Sequence, residues 1–342
     1  MKKIRLLAFE CTAHTFGASV IEKSGTGKPN NINTKILSND YDRYPALKEG
    51  FIPRKLADHH SKVFKKVTNL ALNNAKIRME EIDLLAYSYG PGIGHCLHVG
   101  YVGAKSLALK TNKPLIPVNH TVAHCEVGRY LFGFKDPLII YVSGGNTQIA
   151  AITKEKNGNF YRVYGETLDV GIGNFFDVLG RKLDGIQPPN AIGVIKQAST
   201  YKENNLLDLP YTVKGMDLAF SGLLTACIKE VEKKGDKAQV CFSAQEIALS
   251  MLIEACERAL CHTQKKEILL VGGVAQNPRL QEMVNLMAKE HRCKVGIVPP
   301  LLAGDNAAMI GITAMQIYCS NSIEPSDLPN DNVRLDSTQI RW

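Results

Sequence analysis

Two histidines spaced four residues apart, His120 and His124, are the side chains in this sequence best suited to chemistry. The stretch 121–131 contains no proline and no cluster of β-branched residues, which predicts that a helix begins here. A step of four places two side chains on one helical face, and two imidazoles on one face can bind a single divalent metal ion. A surface coincidence or a hydrogen-bonded core pair explains the same spacing, so the pair alone does not establish a metal site.

A metal site needs more than two ligands, and Tyr141 and Asp305 are the further candidates. Both lie at junctions between predicted strands, loops and helices, where open α/β sheets place their sites. Thr121 directly follows the first histidine, whereas zinc proteases with a paired-histidine helix carry a glutamate there as general base. The sequence therefore predicts a metal centre and argues against a metallopeptidase of that type.

Length and composition fit a globular protein of two domains. The chain has 342 residues, of which 45% are hydrophobic and 22% charged. No apolar run approaches the roughly 18–20 residues of a membrane span, and the N-terminus lacks the features of a signal peptide or organellar presequence. We therefore expect a cytoplasmic location, with access to the nucleus left open, and no membrane partner.

Net charge and cysteine content bear on the kind of partner and on the state of the thiols. The net charge of +8 favours a polyanionic partner without establishing one, because moderately basic surfaces are also common in solvated proteins. Nine cysteines occur without a Cys-x-x-Cys motif, which predicts reduced thiols rather than a disulfide framework or a cysteine-based zinc site.

The order of predicted elements repeats once along the chain. Each half reads strand, turn, two strands and helix: the strands are expected at 5–9, 18–22 and 34–38, then at 138–142, 147–153 and 160–164, and the helices at 54–75 and 175–183. This repeat predicts two related α/β domains facing each other across a cleft, divided as 1–134 and 135–342. Further helices are expected at 99–110, 223–233 and 244–262, and further strands at 83–89 and 267–271.

Three stretches depart from this pattern or carry unusual side chains. Residues 185–205, within a predicted insertion near 185–215, are polar and are expected to be irregular. The helix at 54–75 carries His59, His60 and several lysines, which suits a partner or RNA surface and equally a solvated face. Trp342 is the only tryptophan, and its terminal position favours a docked tail or a partner contact over catalysis.

Glycine-rich turns after buried strands are candidate nucleotide sites, because glycine allows close approach and leaves main-chain N–H groups for anions. Four such turns occur, at 143–146, 171–174, 272–274 and 304–305. One turn is weak evidence, whereas four at strand ends or helix starts are better evidence. The sequence contains no P-loop motif and no Gly-x-Gly-x-x-Gly that opens a helix, so those two nucleotide folds are excluded.

Two polar residues near these turns, and Glu10 at the end of the first predicted strand, each have a structural and a functional interpretation. Asp177 could accept hydrogen bonds from ribose hydroxyls or be a capping or solvated carboxylate. Asn277 precedes Pro278 and is expected to cap a helix, a role compatible with a sugar or base contact. Glu10 ends the first predicted strand at the cleft and could orient a nucleophile or a metal-bound water, although a surface glutamate is the default.

Several motifs together resemble one family. The chain is similar to the universal tRNA threonylcarbamoyl-adenosine synthases over about residues 7–318, and most similar to their archaeal and eukaryotic branch, the catalytic subunit of the KEOPS complex. Residues 214–217 (Lys-Gly-Met-Asp) favour that branch over the bacterial one. The resemblance is carried by residues 90–94, 118–124, 141–148, 165–174, 209–222, 272–277 and 304–306.

The resemblance implies an α/β fold of the actin and hexokinase (ASKHA) type, with two ribonuclease-H-like domains around a cleft. It implies a metal-dependent acyltransferase that moves a threonylcarbamoyl group from threonylcarbamoyl-adenylate to the adenosine 3′ of the anticodon in tRNAs reading ANN codons. It also implies one divalent metal ion per subunit, iron or zinc, and binding of ATP or AMP in the same cleft. The implied partners are tRNA, a kinase-like subunit and a small dimerising subunit.

The resemblance also assigns roles to individual residues. The implied metal ligands are His120, His124, Tyr141 and Asp305, and Glu10 matches an acidic position that assists catalysis. The implied adenylate contacts are Tyr141, Val142, Ser143, Gly144, Gly145, Asp177, Gly193 and Asn277.

Two positions depart from the family pattern. In the loop at 187–196 the family has a glycine-containing turn followed by a nucleotide-binding glutamate, whereas this chain has Gly193 by position and Lys196 in place of the glutamate. His98 stands where arginine is common. A sugar or carboxylate kinase of the same fold, which has no reason to keep the paired histidines, and a non-catalytic scaffold, which the altered loop favours, are the alternatives.

Overall fold

The computed structural model describes residues 3–25, 33–45, 51–156, 158–186, 190–233, 235–322 and 328–342. The first half of the chain forms a five-stranded sheet with the order β3-β2-β1-β4-β5. Strand β2 runs antiparallel to its neighbours β1 and β3, and β4 and β5 run parallel to β1. Its elements are β1 (Lys3–Glu10), β2 (Thr15–Ser24), β3 (Thr34–Arg43), α1 (Pro53–Ala75), β4 (Leu84–Gly90), α2 (Gly94–Thr111), β5 (Leu115–Asn119) and α3 (His120–Phe132).

The second half repeats this topology in a sheet with the order β12-β11-β6-β7-β8-β13. Strands β6, β7 and β8 form the antiparallel meander, β11 and β12 run parallel to β6, and β13 adds an antiparallel edge to β8. The strands of the second half, of which β9 and β10 lie outside this sheet, are β6 (Leu138–Val142), β7 (Thr147–Glu155), β8 (Gly158–Glu166), β9 (Val213–Lys214), β10 (Asp217–Leu218), β11 (Glu267–Val271), β12 (Lys294–Ile297) and β13 (Gln339–Ile340).

The helices of the second half cover its sheet and reach across to the first. They are α4 (Ile172–Lys182), α5 (Asn190–Ala198), α6 (Ser221–Glu232), α7 (Lys237–Thr263), α8 (Pro278–Glu290), α9 (Pro300–Ala303) and α10 (Ala307–Cys319). Helix α10 packs on the first sheet: a Cβ placed on Gly311 would lie 2.5 Å from Ile21 Cγ1 and 3.2 Å from the Cβ of Ala8. The division of domains at residue 134 stays a prediction, because α10 belongs to the second half by sequence and to the first sheet by packing.

Helix α2 begins five residues before the predicted start. The glycines and the proline at 90–94 are typical helix breakers. Helix α2 nevertheless begins at Gly94, because another segment of the chain holds the preceding turn. The amide of Ile93 donates to the carbonyl oxygen of Thr12 at 2.7 Å, and a Cβ on Gly92 would lie 2.7 Å from the same oxygen. A tertiary contact therefore decides where α2 starts.

The expectation that residues 185–205 are irregular is wrong for its centre, where α5 forms. Val194 and Ala198, four residues apart, are buried on one face of that helix, and the apolar spacing overrides the polar composition. Gln187, Pro188 and Pro189, the start of the altered loop, lie outside the described residues.

Of the two adjacent histidines of α1, His60 is not on the surface. His60 is fully buried, with its Nε2 2.9 Å from the carbonyl oxygen of Ala13, and burial lowers its pKa to about 4. His59 lies 3.0 Å from the carboxylate of Asp42.

The terminal segment is docked, as expected for Trp342. That ring packs against the core formed between the sheets, close to the buried Leu335 and Ile340. None of the helices in the described ranges is both long and apolar enough to cross a membrane.

Candidate metal centre and nucleotide cleft

The two histidines lie at the start of α3, directly after β5, where the chain passes from strand to helix. Their rings are 4.7 Å apart and nearly perpendicular. Asp305 approaches from the loop between α9 and α10, with its Oδ1 atom 3.3 Å from Nε2 of His124 and 3.6 Å from Nε2 of His120. One ligand atom from each of the three side chains lies within 4.8 Å of the other two, an arrangement able to hold a metal ion.

The loop that carries Asp305 is fixed by its neighbour Asn306. The Asn306 amide nitrogen donates to the carbonyl oxygens of Gly304 at 2.7 Å and Leu302 at 3.1 Å, and its oxygen caps α10 by accepting from the amide of Met309 at 3.1 Å. The carboxylate is thereby held against the two histidines.

Glu10, the last residue of β1, is fully buried behind the histidines. Its Oε2 atom lies 3.0 Å from Nδ1 of His120, and its Oε1 atom accepts hydrogen bonds from the amide and the hydroxyl of Thr12 at 2.7 and 2.5 Å. A carboxylate that accepts from one ring nitrogen leaves the other nitrogen free for a metal. Glu10 is therefore placed to orient a ligand.

The two carboxylates beside the histidines change the pKa values at this site. Burial lowers the pKa of His120, but the carboxylates of Glu10 and Asp305 outweigh burial and raise it to about 9. Burial lowers the pKa of His124. Burial also disfavours the charged form of Asp305, yet its hydrogen bond with His124 and the charge of His120 hold its pKa below the ordinary value.

Tyr141, the fourth candidate ligand, lies at the end of β6 and is 1% exposed. Its ring centroid is 5.2 Å from that of His124, and burial together with the charge of Asp305 raises the pKa of its phenol. His120, His124 and Asp305 converge although they come from α3 and the loop before α10, and the ring of Tyr141 from β6 lies beside that of His124. Two imidazoles, a carboxylate and a phenol form a donor set suited to zinc or iron.

We expect Glu10→Gln to weaken metal binding by about 10- to 100-fold, the usual effect of losing a partner of a metal-bound histidine. Glutamine keeps the size of the side chain but not the charge that orients His120. Chelator competition measures the affinity at about pH 9, where the proton that Glu10 favours on His120 competes least with the metal. Glu22→Gln is the control, since Glu22 is a mostly buried carboxylate of the same sheet that pairs with Lys3 and Arg5 instead. Equal affinity in the two variants would contradict this role.

The turn between β6 and β7 is docked on the first turn of α4. The amide of Gly173 donates to the carbonyl oxygen of Ser143 at 3.2 Å, and the amide of Asn174 donates to that of Gly144 at 2.9 Å. Gly144 and Gly145 are exposed, and their own amides have no acceptor among the described residues. These N–H groups are available to an anion.

Glycine is required where the turns meet. A Cβ on Gly173 would lie 2.6 Å from the carbonyl oxygen of Ser143, and one on Gly171 would lie 2.5 Å from that of Gly144. Gly272, at the end of β11, has a φ of 94° and lies against the carbonyl of Val142, to which a Cβ would come within 2.2 Å. Three of the four glycine turns therefore form one surface beside Tyr141.

Asp177 and Asn277 are both engaged in the protein. Asp177 Oδ2 accepts from Nε of Arg181 at 2.9 Å, and its Oδ1 accepts from the amide of Asn190 at 3.2 Å. Asn277 caps α8, as expected, by accepting from the amide of Arg279 at 2.9 Å, and it is 2% exposed. Its amide nitrogen donates to Gln245 at 3.1 Å.

Gly193 lies in the first half of α5, where a Cβ would meet Ile186 at 2.3 Å. Lys196, which stands where the family has a glutamate, is exposed on the same helix.

Sequence reasoning missed three residues around the metal centre. Thr12 holds Glu10, Asn119 caps α3, and His14 stacks on Phe51 with a centroid distance of 4.9 Å. Asparagine is a preferred residue at a helix N-cap, so the role of Asn119 is predictable from the sequence. The contact of Thr12 with Glu10 spans only two residues but follows no capping or spacing pattern, and the stacking of His14 on Phe51 depends on tertiary structure.

Solved structures with this architecture identify the class of fold. The chain superposes on HypF from T. kodakarensis with a TM-score of 0.61 and 12% identity, over 93% of this chain and 48% of that one. It superposes on the activator of 2-hydroxyisocaproyl-CoA dehydratase from Clostridium difficile with a TM-score of 0.50 and 12% identity, over 95% of this chain and all of that one. The expected actin-like ASKHA fold is confirmed.

Sequence comparison gives the family. Residues 35–312 match the tRNA N6-adenosine threonylcarbamoyltransferase family. Proteins of that name from Staphylothermus marinus and Thermococcus kodakarensis are 45% and 41% identical to this chain, in both cases over 98% of this chain and 99% of the relative. The chain belongs to this family of tRNA-modifying transferases, and the activity implied by the sequence motifs is confirmed.

Proposed function

We propose that this chain performs its threonylcarbamoyl transfer in the cleft between the two sheets, at one iron or zinc ion held by His120, His124, Tyr141 and Asp305. The observation that supports this most strongly is that Asp305, 181 residues after His124 in the chain, converges with both histidines on one point beside the glycine turns. A kinase of the same fold has no use for that set, and a scaffold has no reason to keep it.

The donor in this proposal is threonylcarbamoyl-adenylate. Its phosphate lies against the free amides of Gly144 and Gly145, which stabilise the charge that develops on the departing AMP. Asp177 accepts from the ribose hydroxyls, exchanging its contact with Arg181 or Asn190 for the ligand. Asn277 keeps the start of α8 in place below the nucleotide.

The mixed anhydride is already activated, so the transfer needs position and charge stabilisation rather than a covalent nucleophile on the protein. The exocyclic amine of the adenosine forms a bond to the carbamoyl carbon, and the bond from that carbon to the phosphate oxygen breaks. AMP leaves with the electron pair of that bond, and the amine releases one proton to water. A bound divalent ion supplies Lewis acidity for a carbonyl or hydroxyl of the threonylcarbamoyl group. Glu10 and Thr12 keep His120 in the orientation that this site requires.

The direct test is formation of the modified nucleoside. The purified chain, with candidate partner subunits, is incubated with threonylcarbamoyl-adenylate and an unmodified tRNA that reads ANN codons, and the digested tRNA is analysed by mass spectrometry. Modification only when an adenosine follows the anticodon would support the proposal. No modification under any of these conditions would favour a scaffold.

We propose that the partners are tRNA, a kinase-like subunit and a small dimerising subunit, and that the complex acts in the cytoplasm, with nuclear access left open. The chain carries no Arg-rich tract, and its net charge of +8 is modest for 342 residues. We therefore expect weak tRNA binding by the isolated chain, with an affinity that falls as salt rises because phosphate contacts release counterions. Fluorescence anisotropy at several salt concentrations measures this. Tight, salt-independent binding or efficient modification by the isolated chain would contradict the partner requirement.

A further inference from the structure

The first turn of α3, from which both histidines project, is held by Asn119. The Oδ1 atom of Asn119 accepts from the amides of Thr121 at 3.0 Å and Val122 at 3.3 Å, and from the hydroxyl of Thr121 at 2.7 Å. Since His120 is the first residue of the helix and His124 lies one turn later, the position of this cap fixes where the two imidazoles lie.

The other end of the same amide is bound to a distant part of the chain. The Nδ2 atom of Asn119 donates to the carbonyl oxygen of Arg334 at 2.9 Å and to the hydroxyl oxygen of Thr338 at 3.0 Å, and the side chain is 3% exposed. Aspartate or serine would cap a helix as well as asparagine does. Neither can donate two hydrogen bonds while its oxygen accepts from the helix.

Residues 328–342, called here the C-terminal strap, join the two sheets. The amide of Asn330 donates to the carbonyl oxygen of Tyr89 at the end of β4, at 2.8 Å. Leu335 and Ile340 are buried, and β13 pairs with β8 at the edge of the second sheet. The strap therefore contacts the first sheet, the start of α3 and the second sheet in sequence.

We propose that Asn119 is a positioning residue that couples the C-terminal strap to the metal centre, so that the contacts of its amide nitrogen set the geometry of the histidine ligands. The inference rests on the proposed metal centre and adds to it a control from outside the cleft. A helix cap alone would need only the oxygen of this side chain. The buried, fully used amide nitrogen is what points to the coupling.

Thr338→Val and Thr338→Ser test the coupling without touching α3. Valine keeps the shape of threonine but removes the acceptor for Asn119, whereas serine keeps the acceptor. Cobalt(II) is the probe, since its visible spectrum reports ligand geometry and its affinity is measured by chelator competition. We expect Thr338→Val to bind cobalt about tenfold more weakly with an altered spectrum, and Thr338→Ser to match the wild type.

Asn119→Asp is the second variant, because it keeps the cap oxygen and removes both donors. We expect a larger loss of cobalt affinity, with far-ultraviolet circular dichroism unchanged. If Asn119→Asp fails to fold, the threonine pair decides. Wild-type spectra and affinities in Thr338→Val and in folded Asn119→Asp, even with a lowered Tm, would overturn the coupling alone. No cobalt binding by the wild-type chain would overturn the metal centre as well.

Discussion

His120→Ala is expected to remove the bound metal and to reduce threonylcarbamoyl transfer by at least about 100-fold. Loss of a residue that only hydrogen-bonds a metal ligand already lowers metal affinity or activity by up to about 100-fold, so loss of the ligand itself should cost at least as much. The variant removes the ligand that Glu10 holds at 3.0 Å and leaves Asp305 with one imidazole instead of two. Metal content per subunit, measured by mass spectrometry of freshly purified protein, checks the first effect. Transfer to unmodified tRNA checks the second.

His98→Ala is the matched control, since His98 is an exposed histidine of α2 whose Nδ1 lies 2.7 Å from the carbonyl oxygen of Gly94. It should retain full metal content and activity. Full metal content in His120→Ala would contradict the assignment of this histidine as a ligand.

The same site predicts a pH dependence for metal uptake by the metal-free protein. The pKa of His120 is raised to about 9, so below that pH this imidazole holds a proton that the metal must displace. Apparent affinity should therefore fall by up to about tenfold for each pH unit below 9. Isothermal titration in buffers of different ionisation enthalpy would count the released proton. An affinity independent of pH between 6 and about 9 would contradict this charge state.

Gly173→Ala is expected to abolish detectable nucleotide binding while the chain still folds. The added Cβ would lie 2.6 Å from the main-chain oxygen of Ser143, so the 143–146 turn or the start of α4 must move. Such overpacking destabilises a protein by about 1–3 kcal/mol. Chemical denaturation measures the free energy of unfolding, and calorimetry with AMP or ATP measures the affinity.

Gly145→Ala distinguishes an effect on nucleotide binding from an effect on protein stability. Among the described residues, its two chain neighbours aside, a Cβ on Gly145 has no atom within 4 Å, so we expect the free energy of unfolding to change by less than about 0.5 kcal/mol. If the phosphate lies against the amides of this turn, nucleotide affinity should still fall. Unchanged affinity in both variants would place the phosphate elsewhere.

Much of the fold is legible in local patterns. The five buried residues of β6 form a continuous apolar run, and α3 follows a strand and an asparagine cap. The repeat of strand order along the chain predicts two sheets of one topology, which both sheets show. Hydrophobic periodicity and capping are local properties, so a sequence carries them directly.

The site can be predicted from the sequence only in part, because its geometry depends on contacts between distant segments. Histidine spacing indicates one face of a helix, but nothing in the spacing places Glu10 against His120 across 110 residues. The start of α2 and the contact of Asn119 with the terminal strap likewise depend on tertiary packing. Helix α5 was missed because polar composition masked the spacing of two buried residues.

Metal depletion and restoration tests the central claim most directly. Modified nucleoside formed per subunit is measured with the full set of partners before chelation, after removal of metal, and after adding back one equivalent of ferrous iron or zinc. The proposed centre predicts that transfer is lost on chelation and restored by one equivalent in the wild-type chain, but not in His120→Ala. Full transfer by protein shown to be free of metal would contradict it.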